Sequence, residues 1–198
     1  VGFEVVVGSR SKYRAMEVRD GLLSRWEGRS LAIDAADNEG AAAAEVVVIA
    51  TPWDAAAATA KSVARQLQGK VVISMANALA KVGHEFQPLV PPRGSVAASV
   101  QAAVPRSRVA AALHHVPAKE LGDLNGAVES DVLVCSDHPA ATETTIDIVS
   151  KIPDLRPLDA GELSNAAPIE AFAAVLLQLN IRYKTRAAVR FTGINVDH

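Results

Sequence analysis

The chain has 198 residues, 49% hydrophobic, 21% charged and 4% aromatic, with a formal net charge of −2, which suits one domain with at most a small appendage and excludes intrinsic disorder. The near-zero charge argues against nucleic-acid or anionic-membrane partners, and the single cysteine, Cys135, cannot form an internal disulfide. No Cys/His cluster has zinc spacing, no apolar run reaches the roughly 20 residues of a membrane span, and the start lacks signal-peptide character, so the expected location is the cytoplasm.

Residues 3–7 (FEVVV) are a continuous β-branched run, which predicts a strand buried on both faces of a parallel sheet. Residues 11–27 place Met16, Leu22, Leu23 and Trp26 at helical spacing, and Gly28 can end that helix. Residues 41–44 are a short alanine-rich helix or loop, and 45–50 (EVVVIA) predict a second buried strand. Thr51-Pro52-Trp53-Asp54 then reads as a helix start, with Thr51 as cap and Pro52 in the first turn. Residues 70–74 (KVVIS) predict a third strand, 90–94 a loop, and 95–104 a helix stopped by Pro105. A fourth strand, 108–113, leads into His114 and His115, and 131–135 is a fifth. A helix over 139–151, a short strand over 155–158 and a long, mainly helical segment from 162 to about 189 complete the chain.

Hydrophobic strands alternating with helices predict an α/β fold, a doubly wound parallel sheet covered on both faces. A boundary near Ser136 to Pro139 would divide a domain over 1–136 from a small C-terminal domain over 137–198.

Three motifs lie where such folds bind ligands, beyond the carboxyl ends of strands. In Gly8-Ser9-Arg10, a serine and an arginine stand where an acid would bind a free ribose hydroxyl; they suit a 2′-phosphate, and Arg14 lies one helical turn on. The plain alternative is a serine cap with solvated basic residues. Thr51-Pro52-Trp53 follows the second strand, although these residues also serve simply to start a helix. Leu113-His114-His115-Val116-Pro117 puts two histidines at a strand end, either as a site or as a structural pair; without a third ligand they are a poor metal site. Cys135 reads as core, and Asp137-His138 as a helix cap. There is no G-x-S-x-G elbow, Walker loop or H-E-x-x-H motif, so hydrolase and phosphotransfer chemistry have no support.

Taken in order, Glu4-Val5-Val6-Val7-Gly8-Ser9-Arg10, Ala50-Thr51-Pro52-Trp53, Ala112-Leu113-His114-His115-Val116-Pro117-Ala118 and the run from Leu155 to Asn165 (LRPLDAGELSN) resemble the NADPH-dependent reductases of coenzyme F-420, the 8-hydroxy-5-deazaflavin. The resemblance extends from the first residue to about Ile194. It implies a Rossmann domain with a small helical C-terminal domain and the deazaflavin in the cleft between them. Ser9, Arg10 and Arg14, after Gly8, would hold the 2′-phosphate of NADP(H). Thr51, Pro52 and Trp53 would line the NADP cleft. His114 and Pro117, with Asn77 as a neighbour, would lie by the deazaflavin, and Asn165 would sit where the small domain closes the cleft. In the family a strand, a glycine-rich turn and a helix precede the segment that begins here at Val1-Gly2. The chain therefore reads as N-terminally truncated, with its first βα unit missing, and is expected to be a poor enzyme as it stands. The helix after Asn165 carries alanines where relatives have polar or basic residues.

The implied reaction is direct hydride transfer between NADP(H) and coenzyme F-420, with no catalytic acid or base, because the coenzymes carry the chemistry. A β-hydroxyacid or imine reductase would need a proton donor, for which Lys119 is the one candidate. A non-catalytic dinucleotide-binding fragment is the other alternative. The expected partners are small-molecule coenzymes, and the tail helix could pair in a homodimer.

Overall fold

The computed structural model describes residues 2–194. Its elements are β1 (Val5–Ser9), α1 (Lys12–Arg25), β2 (Ile33–Asp37), α2 (Asn38–Ala41), β3 (Val46–Ile49), α3 (Trp53–Ser62), β4 (Val71–Ser74), β5 (Leu79–Val82) and β6 (Glu85–Pro88). They continue with α4 (Val96–Ala103), β7 (Arg108–Ala111), α5 (Ala118–Leu121), β8 (Ser130–Ser136), α6 (Pro139–Ser150), β9 (Leu155–Asp159), a 3-10 turn (Leu163–Asn165) and α7 (Ala166–Tyr183).

Five strands form the main sheet in the order β3-β4-β7-β8-β9. Side chains alternate across it, so each strand feeds two cores. Ile49, Val72 and Val109 pack with Ala56 and Ala60 of α3 and Val96 and Val100 of α4. Val71, Ile73, Ala110, Val132 and Val134 pack on the other side with Ala141 and Val149 of α6. The expected α/β class, with a helical C-terminal segment, is the one observed. The expected parallel sheet is present, with one antiparallel neighbour in it. β3, β4 and β7 are parallel, but β8 runs antiparallel to β7, and β9 follows β8. The boundary expected near Ser136 to Pro139 falls between β8 and α6, and β9 beyond it still pairs in register with β8.

β1 and β2 make a separate two-stranded parallel sheet, and β5 and β6 a hairpin. β2 and the hairpin are absent from the sequence reading. The strand expected over 3–7 lies at Val5–Ser9 and is not buried: Val5 is 48% exposed and Val6 38%. The second edge of β1, like the outer edge of β3, has no partner strand among the described residues, and Val48 of β3 is 46% exposed. A β-branched run reports a tendency to be covered; the covering must come from neighbours, and among the described residues one side has none.

The far end of the sheet is closed by the segment after α7. Asp131, fully buried at the start of β8, accepts two bonds from Arg156 (2.7 and 2.6 Å), one from Arg190 (3.0 Å) and one from the Phe191 amide (2.6 Å). Among the described residues no helix is long and apolar enough to cross a membrane.

Candidate functional site

Because β3, β4 and β7 run parallel, their carboxyl ends share one rim of the sheet. Thr51 lies two residues beyond Ile49, which pairs with Ser74 at the end of β4; His114 lies three beyond Ala111, the other partner of Ser74. Alternation places Thr51 and Ser74 on the face that Val72 and Ile49 share, toward α3 and α4. The hydroxyls of Thr51 and Ser74 and Nε2 of His114 are buried, and none has a hydrogen-bond partner among the described residues. A bare buried polar atom costs about 1–3 kcal/mol, and this rim gathers three; the others among the described residues are on Glu120 and Thr145.

Thr51 is not the helix cap expected from sequence. α3 begins at Trp53 with Pro52 at the cap position, and Ala55 donates to the Pro52 carbonyl at 3.0 Å. One residue too early to reach the first amides, the Thr51 side chain stays free of the helix. Trp53 is half-buried and packs against the core under α3.

Strand β7 ends at Ala111, two residues short of the expected end, and Leu113 then takes φ +67°. A leucine in the left-handed region is strained, and such strain gathers at sites. Past this turn both histidines are buried. His114 Nδ1 lies 2.9 Å from Asn77 Oδ1, and Asn77 Nδ2 donates to the His114 carbonyl at 3.2 Å. Burial, with His115 alongside, pushes the His114 pKa down to about 3, so the ring is neutral. His115 Nε2 donates to the Ile169 carbonyl of α7 at 2.8 Å, and its ring meets Phe172 edge-on at 5.2 Å. Burial lowers its pKa, against the pull of that carbonyl.

Ser9 and Arg10 follow the exposed strand β1. Arg14, in α1, pairs with Glu17 at 2.8 Å on the surface. Gly8 has a packing reason: a Cβ there would come within 2.7 Å of the Ala41 methyl in α2. Pro117 starts α5 just past the histidines, and Lys119 in that helix is exposed. Asn165 serves its own turn, donating to the Ala160 carbonyl at 2.6 Å, by the end of the antiparallel β8 rather than of β3, β4 or β7. Asp137 is not a cap for α6; it accepts from the Leu163 amide at 2.9 Å. Cys135 is buried, and burial first, then the charges of Glu170, Asp137 and Asp159, pushes its thiol up to about 12.

Two contributors escape sequence reasoning. Ser74 could have been found by applying the strand-end rule to KVVIS. Glu170, buried in α7, accepts from the Val96 and Ala97 amides at 2.8 and 3.0 Å, holding α7 to the start of α4; a lone glutamate in an alanine-rich helix carries no such signal.

Parallel strands ending at a shared polar rim, covered by helices on both faces, define a Rossmann-type α/β protein. Residues 2–78 match the family described as NADP oxidoreductase, coenzyme F420-dependent. The chain is 32% identical to the F420-dependent NADP reductase of Methanocaldococcus jannaschii, over 98% of this chain and 89% of that one. It is also 32% identical to the reductase of the same description from Methanothermobacter marburgensis, over 98% and 89%. The chain belongs to the family of F420-dependent NADP reductases. In fold it is similar to a solved structure from Arthrobacter sp. FB24 assigned to that group (TM-score 0.77, 24% identity, 93% of this chain and 86% of that one). A protein from Sinorhizobium meliloti also shares the fold (TM-score 0.66, 23% identity, 84% and 78%).

Proposed function

We propose that this chain is an oxidoreductase that holds NADP(H) and coenzyme F420 together at the carboxyl rim of β3, β4 and β7 and supports direct hydride transfer between them. The observation that carries the reading is the row of unpartnered buried atoms on Thr51, Ser74 and His114, with Asn77 locking the imidazole. Two stacked rings, nicotinamide and deazaflavin, supply the chemistry, and a hydride passing between them needs no acid or base from the protein. The chain's residues bind, orient and exclude water. Ser9 and Arg10, with Arg14 swung from Glu17, take the 2′-phosphate; Thr51, Pro52 and Trp53 flank the dinucleotide; His114, Asn77 and Pro117 lie by the deazaflavin, under the helical C-terminal segment.

A neutral, buried His114 is unsuited to donating a proton, and Lys119 is exposed on a short helix. Both weigh against an imine- or keto-reductase, which requires an acid. We place the enzyme in the cytoplasm. A dimer through the exposed stripe Phe172, Val175 and Leu179 of α7 is part of the same reading.

Titration with NADPH, followed by bleaching of the deazaflavin absorbance, tests the activity. Arg10→Ala should weaken NADPH by about 1.5–3 kcal/mol, the worth of hydrogen bonds to a charged group, and leave NADH unchanged. Equal losses for both nucleotides would refute the phosphate assignment.

A further inference from the structure

Asn77 fixes the chemistry of His114 as well as its place. The Asn77 amide nitrogen faces the His114 carbonyl, so the amide oxygen is the atom that faces Nδ1. The opposite orientation would set two acceptors against each other. An acceptor at Nδ1 requires the proton to be there, which leaves Nε2 as a lone pair. His114 thus offers an acceptor, not a donor. Ser74 ends β4 on the same rim: its carbonyl takes the Ala112 amide at 3.1 Å, two residues before His114, and three residues on stands Asn77. Its side chain is fully buried with its hydroxyl unused. A hydroxyl able to donate and a lone pair able to accept, both on one rim, suit a planar carbonyl–N–H group. The strained Leu113 backbone is what turns His114 into this position.

We infer that Ser74 and His114 together read the amide edge of an incoming ring: His114 Nε2 accepts its N–H, Ser74 Oγ donates to its carbonyl, and Asn77 is the positioning residue. This rests on the function proposed above. Both coenzymes carry such an edge, the carboxamide of the nicotinamide and the pyrimidine edge of the deazaflavin, and the experiment separates them.

Ser74→Ala removes a hydroxyl that the fold does not use, so its melting temperature should hold or rise. Its affinity for one coenzyme should nevertheless fall about three- to tenfold, the worth of a neutral hydrogen bond. His114→Gln keeps an acceptor near the position of Nε2 and should bind that coenzyme more tightly than His114→Leu, which has none. NADPH and F420 are titrated separately against the full chain by calorimetry. A loss confined to NADPH assigns the edge to the carboxamide; with the 3-acetylpyridine analogue, which keeps the carbonyl and lacks the N–H, the Ser74→Ala loss should persist and the His114→Leu loss should vanish. A loss confined to F420 assigns it to the pyrimidine edge, and either result supports the inference. If Ser74→Ala melts earlier, the hydroxyl serves the fold. If both affinities are unchanged while the wild type binds both coenzymes, the pair reads no ligand. Each of these overturns the inference and leaves the proposed function standing. A wild type that binds neither coenzyme removes the proposed function first, and this inference with it.

Discussion

Val5 and Val6 of β1 meet solvent, whereas Val71, Val72 and Ile73 of β4 are sealed on both faces. The two runs are nearly the same in sequence. β4 lies between β3 and β7, with α3 and α4 on one side and α6 on the other. Among the described residues β1 pairs with β2 alone. Burial is therefore a property of the neighbourhood, and two valine-rich strands in one chain can contribute very unequally to stability.

Charged groups should show the widest gap between the two regions. Asp131→Ala removes the anchor of the far edge and should cost about 3 kcal/mol, the low end for breaking a buried pair, since both arginines can turn to water. Asp34→Ala in β2 breaks a surface contact to Arg19 at 3.8 Å and the local bond from the Ala35 amide at 2.7 Å, and should cost no more than about 1 kcal/mol. Urea unfolding followed by circular dichroism measures both, and comparable losses would erase the distinction.

Acid should act on the same anchor. Burial pushes the Asp131 carboxyl up, but bonds from Arg156, the Phe191 amide and Arg190 outweigh it and hold the pKa at about 2. A lowered folded pKa gives stability that is present above the unfolded value of about 3.9 and lost as pH falls toward 2. Asp131→Asn should flatten the acid limb of the stability–pH curve in that window. An unchanged limb would show that other carboxylates control it.

Apolar side chains give a smaller contrast. Val72→Ala should cost about 2 kcal/mol through lost burial and a residual cavity. Val5→Ala should cost less than about 0.5 kcal/mol. Val5→Lys should also slow association at high concentration, because the open edge of β1 is a template for pairing, and light scattering would detect it. If the two alanine variants lose equal stability, β1 is covered in solution.

Sequence made the long β-branched strands legible, along with α4, capped by Ser95, and α6, opened by Pro139. β2 was not legible because Ile33-Asp34-Ala35-Ala36-Asp37 has one β-branched residue and two aspartates, the pattern of a turn. Nor was the direction of β8, since an apolar run reads the same in either sense and the preceding connection decides. At the site, strand ends led to Thr51 and His114, but the backbone of Leu113 and the grip of Asn77 depend on contacts between distant segments.

The attachment of Glu170 also decides where negative charge can settle on this protein. The Val96 and Ala97 amides at the positive end of α4 are already taken by a carboxylate, and the Ala98 amide by Ser95. A phosphate arriving there would find its donors occupied. The helix start that opens toward the C-terminal segment is thus closed to anions.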